Sequence, residues 1–194
     1  MKFEQRQFQV FLEFQNNFLR YLEPRCLAAN YVFQRQKESF DEILFPLSGA
    51  VEVGYNKEYY LFENGVKSAS EMSRSIVRRK TQKNAIFDFS SKNEALKQEK
   101  FVYPLKIYPG QAIGLFNMLF DKKSLYLYRI HRDQTIDSMF IRKSNWHKFQ
   151  TQVSEDLEDA FTCFKKFALV NYINNIYFRL QSHQSKLLKS EKLS

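Results

Sequence analysis

The sequence predicts an α+β domain: an antiparallel, jelly-roll-like β-roll flanked by an N-terminal helix and by a short plus a long C-terminal helix. Three observations carry this. Apolar residues at helical spacing open the chain and close it. Between them lie short β-prone runs separated by turn residues, the texture of a compact roll. The length of 194 residues suits one domain, large enough to bury roughly 70% of its unfolded surface.

The opening helix is read from Phe3, Gln7, Phe11, Phe14, Phe18 and Leu22, thickened by Val10 and Tyr21. Pro24 is expected to end it, because the residue before a proline is pushed out of the helical region. From Ala28 the chain turns extended. "NYVFQRQ" is β-prone, and "EILFPLSG" is interrupted by Pro46, which marks an edge strand or a bulge. "AVEVGYNKEYYLF" reads as a hairpin, with Gly54 and Asn56 supplying the turn.

Residues 63–100 are rich in Ser, Arg and Lys and poor in large apolar residues. They read as a long, partly disordered insertion with a helical turn near "NEALKQE". "RRKT" (Arg78 to Thr81) matches a basic-directed phosphorylation site, a pattern common by chance. Strand texture returns in "KFVYPLKIYP", "SLYLYRIHR" and "TIDSMFIRK", and a short helix is expected near Trp146. Ser154 is the expected N-cap of the last helix, with Glu155 and Asp156 suited to the positive end of its dipole. Its apolar face runs Val153, Leu157, Phe161, Phe164, Ala168, Tyr172, Ile176 and Leu180. The expected organisation is therefore a helical segment over 1–24, a β-roll over 25–144 with its insertion at about 63–100, and helices with a basic tail over 145–194.

Composition limits the function classes. The 20 Phe and 11 Tyr predict an aromatic interior. Cys26 and Cys163 stand far apart and read as two free buried thiols in a reducing compartment. A net charge of +9 permits contact with nucleic acid, anionic lipid or acidic protein and selects none of them; a solvated basic surface is the preferred reading. No run approaches the roughly 20 apolar residues of a membrane-spanning helix, and the N-terminus is too polar for a secretory signal. A soluble, cytoplasmic chain is the expectation, with no nucleic acid as partner, because the aromatics fall at core-like spacing and no RNP-type or zinc-finger motif is present.

Catalysis finds no residues to carry it. His131, His147 and His183 form no two-histidine metal motif, and there is no Walker loop, GxSxG elbow or CxxC pair. The expectation is no catalytic residue and no metal.

One stretch reads as a phosphate socket. In "IYPGQAIGLFNMLFDKKSLYLY" (Ile107 to Tyr128) a Pro-Gly turn leads to Ile113-Gly114, an apolar run, and the Lys122-Lys123 pair. Together with "LSGAVEVG" (Leu47 to Gly54) and "FIRKSNWHKF" (Phe140 to Phe149), in this order, it resembles a cyclic-nucleotide-binding domain. "YLEPR" (Tyr21 to Arg25), "YPGQAIGLFNMLFDKKS" and "FIRKSNW" more narrowly resemble the C-terminal domain of ciliate voltage-gated (cyclic-nucleotide-gated, EAG-like) potassium channels.

The resemblance implies a non-catalytic regulatory domain and places a phosphate cassette at Gly114, Leu115, Phe116, Asn117, Lys122, Lys123 and Ser124. Binding members carry a glutamate for the ribose hydroxyl and an arginine for the phosphate. Here Leu115 stands at the glutamate position and Ser124 at or beside the arginine position. Losing two bonds to charged groups, at roughly 1.5–3 kcal/mol each, weakens binding about a hundred- to ten-thousand-fold. Lys122, Lys123 or the amides after Gly114 are the remaining phosphate contacts, and a lysine lacks arginine's planar fork. The pocket is thus expected to be degenerate, with no cofactor and with cAMP and cGMP disfavoured. The partners implied are a protein or neighbouring channel subunits, in an oligomer, with the membrane reached only through a channel. The alternative is a freestanding structural subunit of a larger assembly, which Met1 and the lack of an apolar span favour.

Overall fold

The computed structural model describes residues 12–66 apart from 14, together with 101–152 and 158–193. Most of the expected insertion, "RRKT", the Ser154 cap and the opening aromatics Phe3, Phe11 and Phe14 lie outside the described residues.

Among the described residues seven strands form two antiparallel sheets: β1 (Glu23–Leu27), β2 (Val32–Gln34), β3 (Glu42–Pro46), β4 (Val51–Asn56), β5 (Phe101–Ile107), β6 (Leu127–Ile130) and β7 (Ile136–Arg142). One sheet runs β1-β7-β3 and the other β2-β6-β4-β5. Prolines explain the edges. A proline has no N–H for the ladder, so it is tolerated at a sheet edge. Pro24 lies in β1, Pro46 in β3 and Pro104 in β5, and all three are edge strands. The edge reading of Pro46 holds. Pro24 does not end the first helix, however. The described helical residues are 12–13 and 15–19, and Pro24 already belongs to β1.

The expected hairpin around "GYNKE" is also corrected. After β4 the chain enters a helix, α1 (Lys57–Glu63), and the antiparallel neighbours of β4 are β5 and β6. Asn56 is the cause: its side chain accepts the Tyr59 backbone N–H at 3.0 Å, an N-cap rather than a turn. Glu58 then sits in the first turn, where the helix dipole favours it.

The remaining helices are α2 (Leu115–Leu119), α3 (Lys143–Gln152), α4 (Glu158–Tyr172) and α5 (Phe178–Leu193). The last two are joined by a π-helical segment, Ile173–Tyr177, which periodicity did not foretell. Its cause lies in the core spacing. Ala168, Tyr172, Ile176, Leu180 and Gln184 are all buried and stand four residues apart. Four residues of an α-helix turn about 400°, so such a stripe drifts about 40° at every step. A wider i→i+5 turn cancels that drift and keeps Leu180 and Gln184 on the roll.

Two hydrophobic clusters result. The first fills the roll with Leu44, Val51, Val53, Tyr55, Tyr126, Tyr128 and Ile130 and is closed by Tyr172, Ile176 and Leu180. The second lies among Ile43, Ile141, Trp146, Phe149 and Phe161, with Phe18, Phe45 and Phe164 packed against it. The single tail helix touches both. Cys26 and Cys163 are free, but both are exposed, which corrects the expected burial. Cys26 points outward from an edge strand, and Cys163 lies on the side of α4 away from the buried Phe161 and Ala168.

Candidate functional site

The expected cassette opens at a position that only glycine fits. Gly114 has φ +84°, and a Cβ there would meet the Phe40 ring at 2.5 Å and the Glu42 carbonyl at 3.0 Å. The residue before it is pinned to β3. Leu44 and Ile113 exchange both backbone hydrogen bonds, at 2.9 and 2.8 Å. From this fixed point α2 runs for five residues and presents its side chains to two places. Leu115 is buried and belongs to the Trp146 cluster, so at the position the resemblance gives to a glutamate there is a packed hydrocarbon. Phe116 turns towards the roll mouth.

The cassette then closes on itself. Buried Asn117 donates from Nδ2 to the Lys122 and Lys123 carbonyls, both at 3.2 Å, and its own carbonyl accepts the Lys122 N–H at 2.8 Å. Ser124 is buried and donates its hydroxyl to the Tyr126 carbonyl at 2.6 Å. Its backbone N–H donates to the Glu38 carbonyl at 2.9 Å. The Lys122 and Lys123 side chains are exposed. Of the expected site residues, Gly114, Leu115, Phe116 and Asn117 line one cavity, and Lys122, Lys123 and Ser124 do not.

The other wall of that cavity is the tail helix. Tyr172 stacks on Phe116 with ring centroids 4.1 Å apart and planes 8° from parallel. What remains between the Gly110–Asn117 segment and the tail is a cavity of about 50 Å³, bordered by Gln111, Phe167, Asn171 and Asn175. A few waters fit such a space, whereas small-molecule pockets run to roughly 300–1,000 Å³. The asparagines are already engaged along the helix, Asn171 Nδ2 on the Phe167 carbonyl and Asn175 Nδ2 on Asn171 Oδ1, both at 3.0 Å.

Beneath the stack the roll interior is tyrosine. Burial pushes the Tyr55 and Tyr172 hydroxyls up to about 12 and those of Tyr126 and Tyr128 higher still. Tyr55 reaches the tail, its hydroxyl 3.0 Å from His183 Nδ1. The Tyr126 hydroxyl is buried with no hydrogen bond of good geometry; Gln181 on the tail faces it. Residue spacing identified Tyr172 and Ile176 as a core face but gave no sign that they border the cassette. The pairing of Tyr172 with Phe116 needs the tertiary fold. Among the described residues no group of His, Cys, Asp and Glu could hold a metal ion, and no helix is long and apolar enough to cross a membrane.

No protein-family model and no curated protein matches the chain. Solved structures do. One is PKAR CBD2 bound to Sp-2Cl-cAMPS, at 9% identity and TM-score 0.38 over 75% of this chain and 68% of that one. Another is the regulatory subunit of a cAMP-independent protein kinase A from Trypanosoma brucei, at 9% identity and TM-score 0.44 over 80% of this chain. The chain spans 41% of that subunit's length. Likenesses at this level carry no ligand, partner or activity over to this chain.

Proposed function

We propose that the chain is a non-catalytic regulatory and interaction domain of the cyclic-nucleotide-binding type whose nucleotide site is filled by its own side chains. The observation that carries this is the Phe116–Tyr172 stack over a cavity of about 50 Å³. Leu115 packed among hydrocarbons and Ser124 bonded to the Tyr126 carbonyl support it, since neither is free for a ribose or a phosphate. Kinship to the cytoplasmic part of a potassium channel rests on the resemblance of "YLEPR" and "FIRKSNW".

In this reading the tail helix takes the place of a ligand. It is held in the roll by Tyr172, Ile176 and Leu180, and its Phe164 meets Phe18 of the N-terminal helical residues at 6.0 Å. A protein partner or neighbouring subunit that moves the tail thereby moves the N-terminal helix. Calorimetric titration with cAMP and cGMP tests the filled site: no binding heat is expected up to about millimolar nucleotide, and micromolar affinity would refute it.

A further inference from the structure

The tail helix packs one side on the roll and leaves the other open. On the open side Phe167 is 63% exposed, Val170 54% and Phe178 58%. Val170 lies across the helix from Phe161, Ala168 and Tyr172, which are buried, and Phe167 stands at the edge of the open side, beside the cavity. From Ala160 to Ser190 the chain carries Lys165, Lys166, Arg179, Lys186 and Lys189 and not one Asp or Glu. Lys166, Arg179, Lys186 and Lys189 are exposed, and among the described residues they have no acidic partner. Three large apolar side chains and four unpaired cations therefore share the solvent side of one helix.

We propose that this face lies against an anionic membrane surface. The arrangement lets rings and ammonium groups reach a bilayer together, the rings entering the headgroup boundary while the cations meet anionic lipid. A second copy of the chain would set these cations against each other. A protein groove takes continuous anchors at i, i+3, i+4 and i+7, and exposed Asn174 interrupts the row between Val170 and Phe178. A bilayer needs no such continuity. Of the residues on this face Phe167 also borders the cavity beside Gly110–Asn117, whereas Val170, Phe178 and the four cations do not.

Flotation of the full chain with vesicles tests it. One set is phosphatidylcholine alone, and the other contains roughly a third phosphatidylserine. At low salt the anionic vesicles are expected to carry at least about tenfold more protein than the neutral ones, with the difference shrinking as salt screens the charges. Phe167→Ser with Phe178→Ser, and separately Lys186→Glu with Lys189→Glu, are each expected to cut recovery about tenfold with Tm little changed, since all four side chains are exposed. Equal recovery on both vesicles, or full recovery of both double variants, would overturn the proposal. So would a dimer in light scattering that Phe167→Ser with Phe178→Ser dissolves while vesicles are ignored, which would assign the face to a second copy.

Discussion

The two aromatic clusters of this molecule are built from different chemistry. The one around Trp146 is nearly all hydrocarbon, with Trp146 and Phe149 fully buried, Phe161 largely so and Phe18 edge-on to Trp146, Phe149 and Phe45. Its polar exception is the buried indole Nε1 of Trp146, which has no hydrogen-bond partner among the described residues. The one inside the roll is built on Tyr55, Tyr126, Tyr128 and Tyr172, whose hydroxyls must be satisfied or left costly. The first cluster joins helices to sheet, whereas the second fills the roll interior with large rings that carry polar tips.

Changes that separate the two clusters sharpen the comparison. The largest expected effect is Trp146→Ala, which removes a fully buried ring and costs about 3–5 kcal/mol in denaturant unfolding. Alkaline unfolding should address the tyrosine cluster more than the Trp146 cluster, although burial also raises the pKa of Tyr60 and Tyr103. Tyr55 and Tyr172 titrate at about 12 in the fold against 10.0 in the reference state, so the unfolded chain loses protons first. Their stability contribution is complete below pH 10 and is lost as the pH rises towards 12. Each should cost on the order of 1 kcal/mol per pH unit across that window, so a few kcal/mol together near its top. Urea titrations at increasing pH read this, and stability flat to pH 12 would break the account of a dry tyrosine core.

Gly114→Ala is next, at about 2 kcal/mol, because it adds left-handed strain to a clash with Phe40. The smallest effect is Tyr126→Phe. It removes a buried hydroxyl without a good partner and should be neutral or stabilising by up to about 1 kcal/mol in thermal melts.

Much of the fold was legible in the residues themselves. Pro46 pointed to an edge or a bulge because a missing N–H excludes the middle of a sheet, and β3 is an edge. The stripe Phe161, Ala168, Tyr172, Ile176 and Leu180 declared the buried side of the tail. What failed did so where two local readings compete. "GYNKE" offers both a turn and an Asn56 cap, and the cap prevailed because β5 and β6, distant in sequence, already pair with β4. The π segment was not read from the spacing of four, because a stripe that drifts on an α-helix matters only once the roll fixes a straight surface. The turn and short helix around Gly114 were legible, but the stacking of Tyr172 on Phe116, 56 positions away, was not. Lys122 and Lys123 looked like phosphate ligands in sequence, and the Asn117 bonds to their carbonyls turn that segment so that both side chains face solvent.

The most direct measurement is a two-dimensional amide NMR spectrum of the chain with and without cAMP or cGMP, read at residues 110–117 and at Tyr172. A filled site predicts no shift at these amides at about millimolar nucleotide. Saturating shifts confined to them at micromolar nucleotide would contradict it, and would mean that the Tyr172 ring leaves Phe116 to admit a ligand.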